Sequence, residues 1–381
     1  MDGGGMRGVI SARILQEVEQ QLKERKGLAL HQYFDMIAGT STGSILTAGI
    51  ASQKNADELL NLYKENANTI FPYREGILSP PLQGIKNAFS LSKYSHTGLI
   101  KTLRKELKET KISEIQNPII LILAYDMLYR NTTFFTNCHP DIGARWYDDT
   151  PLWEICVSSS SAPTFFPPYE LKPYNEEKFG KWSFPHIDGG VSANNPSLAA
   201  ISQVIKVGRA PNVSLETKKN YKLEDLQLEK IAVLSIGTGR SGEPFEFNQI
   251  KAWKAVDWAQ RVVDVFMEPT SEIDTTVCQQ LLGGVESKRY LRLDFDLNER
   301  FKPKASETYK DTRELVKQQE RKNKFTEKSV SEAIDDAREE IVNNLIETAT
   351  KFIEKGHTYE SRVYGQGPRV KDAIAQFIDA N

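Results

Sequence analysis

"YFDMIAGTSTGSILTAGI" (33–50) decides how this chain is read. Met36–Ala38 is a short apolar run of strand character, and an apolar stretch of helical length begins at Ser44. Between them stands Gly39-Thr40-Ser41-Thr42-Gly43, a G-x-S-x-G sequence. A chance match in a loop is the competing reading, but in that context the motif reads as a nucleophile elbow: a serine on a sharp strand-to-helix turn, its hydroxyl near a helix N-terminus. Gly39 and Gly43 remove side chains that would keep strand and helix apart. Ser41 is therefore the candidate nucleophile, with Gly39, Thr40, Thr42 and Gly43 as the elbow around it.

Upstream lies "MDGGGMRG" (1–8). Gly3–Gly8 fits G-x-G-x-x-G, but a dinucleotide site needs a strand before the loop and an acid ending a second strand. Only Met1 and Asp2 precede it, and Glu24 falls in a helical segment. Two readings remain: a glycine turn capping a helix, or a nest of N–H groups that holds an anion. A nucleophile elsewhere in the chain favours the second.

A serine needs a base. Five histidines are present, His31, His96, His139, His186 and His357. An α/β-hydrolase runs Ser, acid, His, and after Asp188 the only histidine is His357, in a polar C-terminal stretch. The elbow also comes too early for that fold. "HIDGGVSANNP" (186–196) offers an alternative base, because Asp188 ends a strand before Gly189 and Gly190. In a parallel sheet its carboxylate would sit at the open carboxyl ends of the strands. A plain Asp-Gly turn is the competing reading.

Around these motifs the periodicity predicts helices over 9–26, 41–53, 55–71, 151–163, 195–207, 251–268 and 270–282. It predicts strands over 117–127, 131–137, 182–190, 230–239 and 289–295. Residues 72–95 read as a long loop. It could cover an apolar groove or touch lipid through Ile77, Leu78, Leu82, Phe89, Leu91 and Tyr94; an ordinary packed loop is the alternative. Beyond residue 300 the composition turns to charged amphipathic helices, "TRELVKQQERKNK" and "SEAIDDAREEIVNNLIETATKFIEK". Strands alternating with helices indicate an α/β fold with a largely parallel sheet. Ser158–Ser161 is the nearest thing to low complexity.

The composition excludes several classes. With 381 residues, 39% hydrophobic and 26% charged, the chain has the make-up of a globular protein with a large core. A net charge of -2 gives no basic field for nucleic acid. Three scattered cysteines form neither a disulfide framework nor a zinc pattern. No secretory leader or membrane-spanning run is read. These features suggest a cytoplasmic protein, at most peripheral at membranes. No acidic cluster has calcium-loop spacing, so no metal and no cofactor is expected.

The three motifs in order, "DGGGMRG" (2–8), "GTSTG" (39–43) and "DGG" (188–190), resemble the patatin-like phospholipases, lipid acyl hydrolases of the plant-patatin type. "LWEICVSSSSAPTFFPP" and "LSIGTG" add to the likeness, which covers about residues 1–300. The resemblance implies a patatin-like three-layer α/β fold with a central, mostly parallel sheet, plus C-terminal helices. It implies a catalytic domain over 1–300 and a charged helical extension over 301–381 packing on it. It makes Ser41 the nucleophile and Asp188 its base in a Ser–Asp dyad. Gly3, Gly4 and Gly5 would line the oxyanion hole, with Arg7 beside them; Arg7 could instead anchor Asp2. The substrate would be a phospholipid, galactolipid or simpler ester, cleaved without a metal, with head group and oligomeric state left open. In that family an apolar strand leads into the glycine loop, so the sequence is expected to begin too late and the sheet to lack its first strand. A catalytically silent scaffold is the competing class, and the intact motifs argue against it.

Overall fold

The computed structural model describes residues 1–72, 92–141, 143–300 and 321–381. The run before the elbow forms β1 (Met36–Thr40), and the Ile/Leu run forms β2 (Ile119–Asp126). They pair in parallel, ending with Thr40 opposite Leu123. β3 (Asn131–Thr136) returns antiparallel along β2, because so short a connection cannot bring a strand back in parallel. β4 (Tyr169–Leu171) and β5 (Phe184–Asp188) form an antiparallel pair, and β5 joins β2 antiparallel with Asp188 opposite Ala124. β6 (Val233–Ile236) and β7 (Tyr290–Leu293) pair in parallel. The sheet is thus mixed rather than mostly parallel.

Both faces of the sheet are covered. Ile120, Ile122 and Ala124 of β2 point into the main core, while Ile119 points with Met36 into a second cluster around Val207 and Leu223. This alternation is the period of a strand buried on both faces. α1 (Gly8–Lys26) stops at Gly27, whose φ of 68° supplies the left-handed cap. α2 (Thr42–Ala51) follows the elbow and is buried throughout. α3 (Ala56–Ile70) starts at a capping box between Asn55 and Glu58. α4 (Thr97–Leu107), α5 (Leu152–Ser159) and α6 (Ser197–Arg209) follow.

The helices expected at 251–268 and 270–282 are one helix, α7 (Ala255–Leu281), with Pro269 inside it. The Thr270 hydroxyl donates to Met267 O at 3.0 Å, giving that turn a hydrogen bond of its own where proline has no N–H. α8 (Glu339–Lys355) is shorter than its charged stretch predicts; residues 331–338 are not helical. α8 and α9 (Val370–Ala380) pack on α1, and Leu345, Phe352 and Phe377 join the main core. Most of the loop read at 72–95 and most of the helix read at 312–324 lie outside the described residues.

The chain's first two residues tie β1 to β6. The Met1 ammonium donates to Ala38 O at 2.8 Å, and Thr40 N–H donates to Met1 O at 3.3 Å. Asp2 N–H donates to Ile236 O at 3.0 Å. Beside this link a cavity of about 400 Å³ lies between the strands, lined by Tyr33, Met36, Val233 and Leu234.

Candidate active site

β1 and β5 meet end to end along one edge of β2. β3 occupies one edge of β2 from Leu121 to Asp126, so β1 and β5 must share the other. β1 runs with β2 and ends opposite Leu123; β5 runs against it and ends opposite Ala124. Their C-termini therefore converge at adjacent residues. Asp188 is not at a common carboxyl edge of parallel strands, as the sequence suggests, but faces the end of β1. Ser41 and Asp188 line the same cleft.

Ser41 has φ 53° and ψ −122°, a left-handed conformation that costs a non-glycine residue about 1–3 kcal/mol. Hydrogen bonds hold it there. Ser41 N–H donates to Ser159 Oγ at 2.9 Å, and Ser44 N–H donates to Ser41 O at 2.9 Å. Thr40 Oγ1 donates to Ala193 O at 2.8 Å, and the Thr42 hydroxyl pairs with the Tyr63 phenol. Gly39 and Gly43 pack against each other where the chain turns; a Cβ on Gly39 would stand 2.1 Å from Gly43 O.

Asp188 is fully buried, and burial pushes its carboxyl up to about 7, against the opposing pull of the Ser41 hydroxyl and the Gly190 N–H. Gly190 N–H donates to Oδ1 at 2.7 Å, whereas Oδ2 has no partner within hydrogen-bond geometry. Ser41 is thus near enough to favour the carboxylate but is not tightly bonded to it. Such bonds are often long or poorly aligned in unliganded sites. A base that titrates near neutrality combines availability with proton affinity.

In the glycine loop, Gly5 has φ 57°, and a Cβ there would lie 2.1 Å from Ile334 O. Gly3 N–H is already committed to Asn194 O at 3.2 Å, and Met6 N–H to Ile334 O at 2.7 Å. Gly4 and Gly5 N–H have no acceptor among the described residues. The pairing of Arg7 with Asp2 does not occur. Arg7 is buried and donates to Glu332 O at 3.3 Å. Asp2 is gripped instead by Arg292, whose Nη1 and Nη2 reach Oδ1 and Oδ2 at 2.9 and 2.6 Å, a fork-to-fork geometry.

Comparison with known proteins settles the lineage. Residues 1–201 match the family model described as patatin-like phospholipase. The chain belongs to the patatin-like phospholipase family. It is 32% identical to Patatin-like protein 1 of Arabidopsis thaliana, across 78% of this chain and 73% of that one. It is 30% identical to Patatin-like protein 2 of Oryza sativa subsp. indica, across 78% and 75%. With Patatin-17 of Solanum cardiophyllum the identity is 29%, across 77% and 74%. Membership supports lipid acyl hydrolysis as the general activity and a lipid as the substrate.

The cleft of this patatin-like protein is narrow, with a cavity volume of about 40 Å³. Its walls are mainly apolar, including Ile45, Ile70, Phe71, Leu99 and Phe166, and no histidine lines it. His186 is buried with Nε2 3.0 Å from Thr133 Oγ1. His357 lies 3.1 Å from Gln366 Nε2 in the C-terminal segment. Met267 from α7 and Ile334 from the stretch before α8, which no sequence motif marks, also line the cleft. In the sequence Ile334 looks like one apolar residue of an amphipathic helix, and nothing local signals that its carbonyl meets the glycine loop. The cysteines are free and buried. Among the described residues, no group of three or more His, Cys, Asp or Glu could hold a metal, and no helix is long and apolar enough to cross a membrane.

Proposed function

We propose that this protein is a serine carboxylic-ester hydrolase that releases fatty acids from phospholipids or galactolipids through a Ser41–Asp188 dyad. Asp188 accepts the Ser41 proton as Oγ attacks the acyl carbonyl carbon. The carbonyl oxygen gains negative charge, and the N–H groups of Gly4 and Gly5 receive it. The tetrahedral intermediate collapses, Asp188 returns the proton to the departing alcohol oxygen, and the acyl group stays on Ser41. Water, deprotonated by Asp188, attacks the acyl-enzyme ester; as the Ser41 Oγ–acyl bond breaks, Asp188 returns that proton to Ser41 Oγ and the fatty acid is freed. The apolar cleft takes the acyl chain, and the protein works in the cytoplasm, meeting lipid at the membrane surface.

The observation that carries this reading is the convergence of β1 and β5, with a strained serine and a raised-pKa aspartate in one apolar cleft that Gly5 also lines, its N–H without an acceptor among the described residues. Preorganised donors of that kind carry much of the catalysis in acyl transfer, roughly 3–4 kcal/mol for each one removed in comparable enzymes.

The test is labelling by a fluorophosphonate probe, followed by mass spectrometry of products from a mixed lipid extract. Labelling and fatty-acid release should both vanish in Ser41→Ala. If the unaltered protein takes up no probe and releases no acid, the hydrolase reading is wrong and a silent scaffold replaces it.

A further inference from the structure

The four serines at 158–161 follow no periodic pattern, yet all are buried. They close α5 and run between the elbow and the acid motif. Ser158 Oγ donates to Ile155 O within its own helix at 2.7 Å. Ser159 is different: its hydroxyl accepts from Ser41 N–H at 2.9 Å and donates to Leu123 O at 2.6 Å. Leu123 is the β2 residue where β1 ends. The backbone continues the link, with Gly189 N–H donating to Ser159 O at 3.2 Å and Asp188 N–H to Ser161 O at 3.0 Å. One residue thus touches the elbow, the strand junction and the turn after the acid.

We propose that Ser159 is a positioning residue that sets the separation and facing of Ser41 and Asp188. It does not line the cleft and is not a catalytic residue. The physical case rests on strain. Ser41 in the left-handed region tends to relax toward ordinary backbone angles, and a fixed acceptor for its N–H opposes that rotation. The hydroxyl cannot swing away, because its own proton is committed to Leu123 O. Without it, two buried backbone groups lose their partner, and Ser41 Oγ is free to drift from the line of attack. The kinetic consequence rests on the hydrolase reading; the conformational one does not.

The experiment compares Ser159→Ala with Ser158→Ala, in the full chain. Both delete one buried hydroxyl from adjacent residues of one helix, so a general loss of stability should affect both. Ester hydrolysis gives kcat and KM separately, and hydrogen exchange is read on the peptide containing Ser41. Ser159→Ala should lower kcat by roughly ten- to a hundredfold, the scale of a small misplacement of reacting atoms, with KM changed less than about threefold. It should also speed exchange at the Ser41 amide at least about tenfold, as expected for a released hydrogen bond. Ser158→Ala should do neither. Equal exchange at Ser41 in Ser159→Ala and the unaltered protein overturns the proposal, whatever the enzymology. So does an equal loss of kcat in both variants. A protein that exchanges as expected but never labels with fluorophosphonate fails the hydrolase reading alone.

Discussion

Replacing Asp188 with asparagine should stabilise the fold increasingly as pH rises, while ending hydrolysis. Burial lifts the Asp188 carboxyl to about 7 in the folded protein, whereas the unfolded chain ionises it near 3.9. Between those values the native state holds a proton that the unfolded state has released. Stability therefore falls with rising pH, by about 1.36 kcal/mol per unit for this one group. The contribution is intact below the unfolded value and is lost as pH rises through the folded value. Asparagine does not ionise, and its Oδ1 can still accept from Gly190 N–H, which lies 2.7 Å from the present oxygen. From about pH 5 to about pH 8, the variant's advantage should grow by roughly two units' worth, on the order of 2.7 kcal/mol. Any fixed cost of seating the amide nitrogen cancels in that difference. Urea unfolding of both proteins at the two pH values, followed by tryptophan fluorescence, measures it. An advantage that stays constant between them would show that Asp188 ionises at an ordinary carboxylate value, and burial would not be controlling its proton.

Four further outcomes are expected. The same titration should make kcat/KM on a soluble ester rise about tenfold per pH unit below about 7 and level off above it; a flat profile from about pH 5 to 8 would remove Asp188 as the base. Ser41→Gly should abolish hydrolysis and raise stability by about 1 kcal/mol, because glycine adopts φ 53° without strain; a lower melting temperature would contradict the strain assigned to the elbow. Gly5→Ala should lower both activity and stability, by roughly 2–3 kcal/mol for the latter, since its Cβ would meet Ile334 O at 2.1 Å and its φ is 57°; wild-type melting would mean that the loop has another conformation. A chelator should leave p-nitrophenyl ester hydrolysis unchanged, and a loss restored by calcium would reveal an ion-dependent step.

Much of the local structure follows from short-range chemistry. Gly27 ends α1 where the apolar period stops, and Asn55 with Glu58 starts α3. The glycines of the elbow leave room for the turn on which Ser41 stands. Such features depend on residues within one helical turn of each other, so a linear reading captures them. Pro269 shows the limit: proline commonly ends a helix, and here the helix runs through it.

The amino-acid sequence alone determined the family, the α/β class, and which serine, aspartate and glycine loop to examine, because three motifs in fixed order carry that information locally. The tertiary structure decided how they meet. Whether β5 runs with or against β2 depends on contacts across roughly sixty intervening residues, and only that direction brings Asp188 to Leu123's neighbour opposite the end of β1. Arg7 and Arg292 are chemically equal candidates for Asp2; the choice fell to Arg292 because β7 carries its fork to the carboxylate, while Arg7 turns to Glu332 O. The serine run had no meaning as a string, since the hydrogen bonds of the Ser159 hydroxyl go to residues 36 and 118 positions away. Sequence records which groups are present; the folded chain's long-range packing sets which of them share a cleft, and burial in that cleft is what shifts Asp188 toward neutrality.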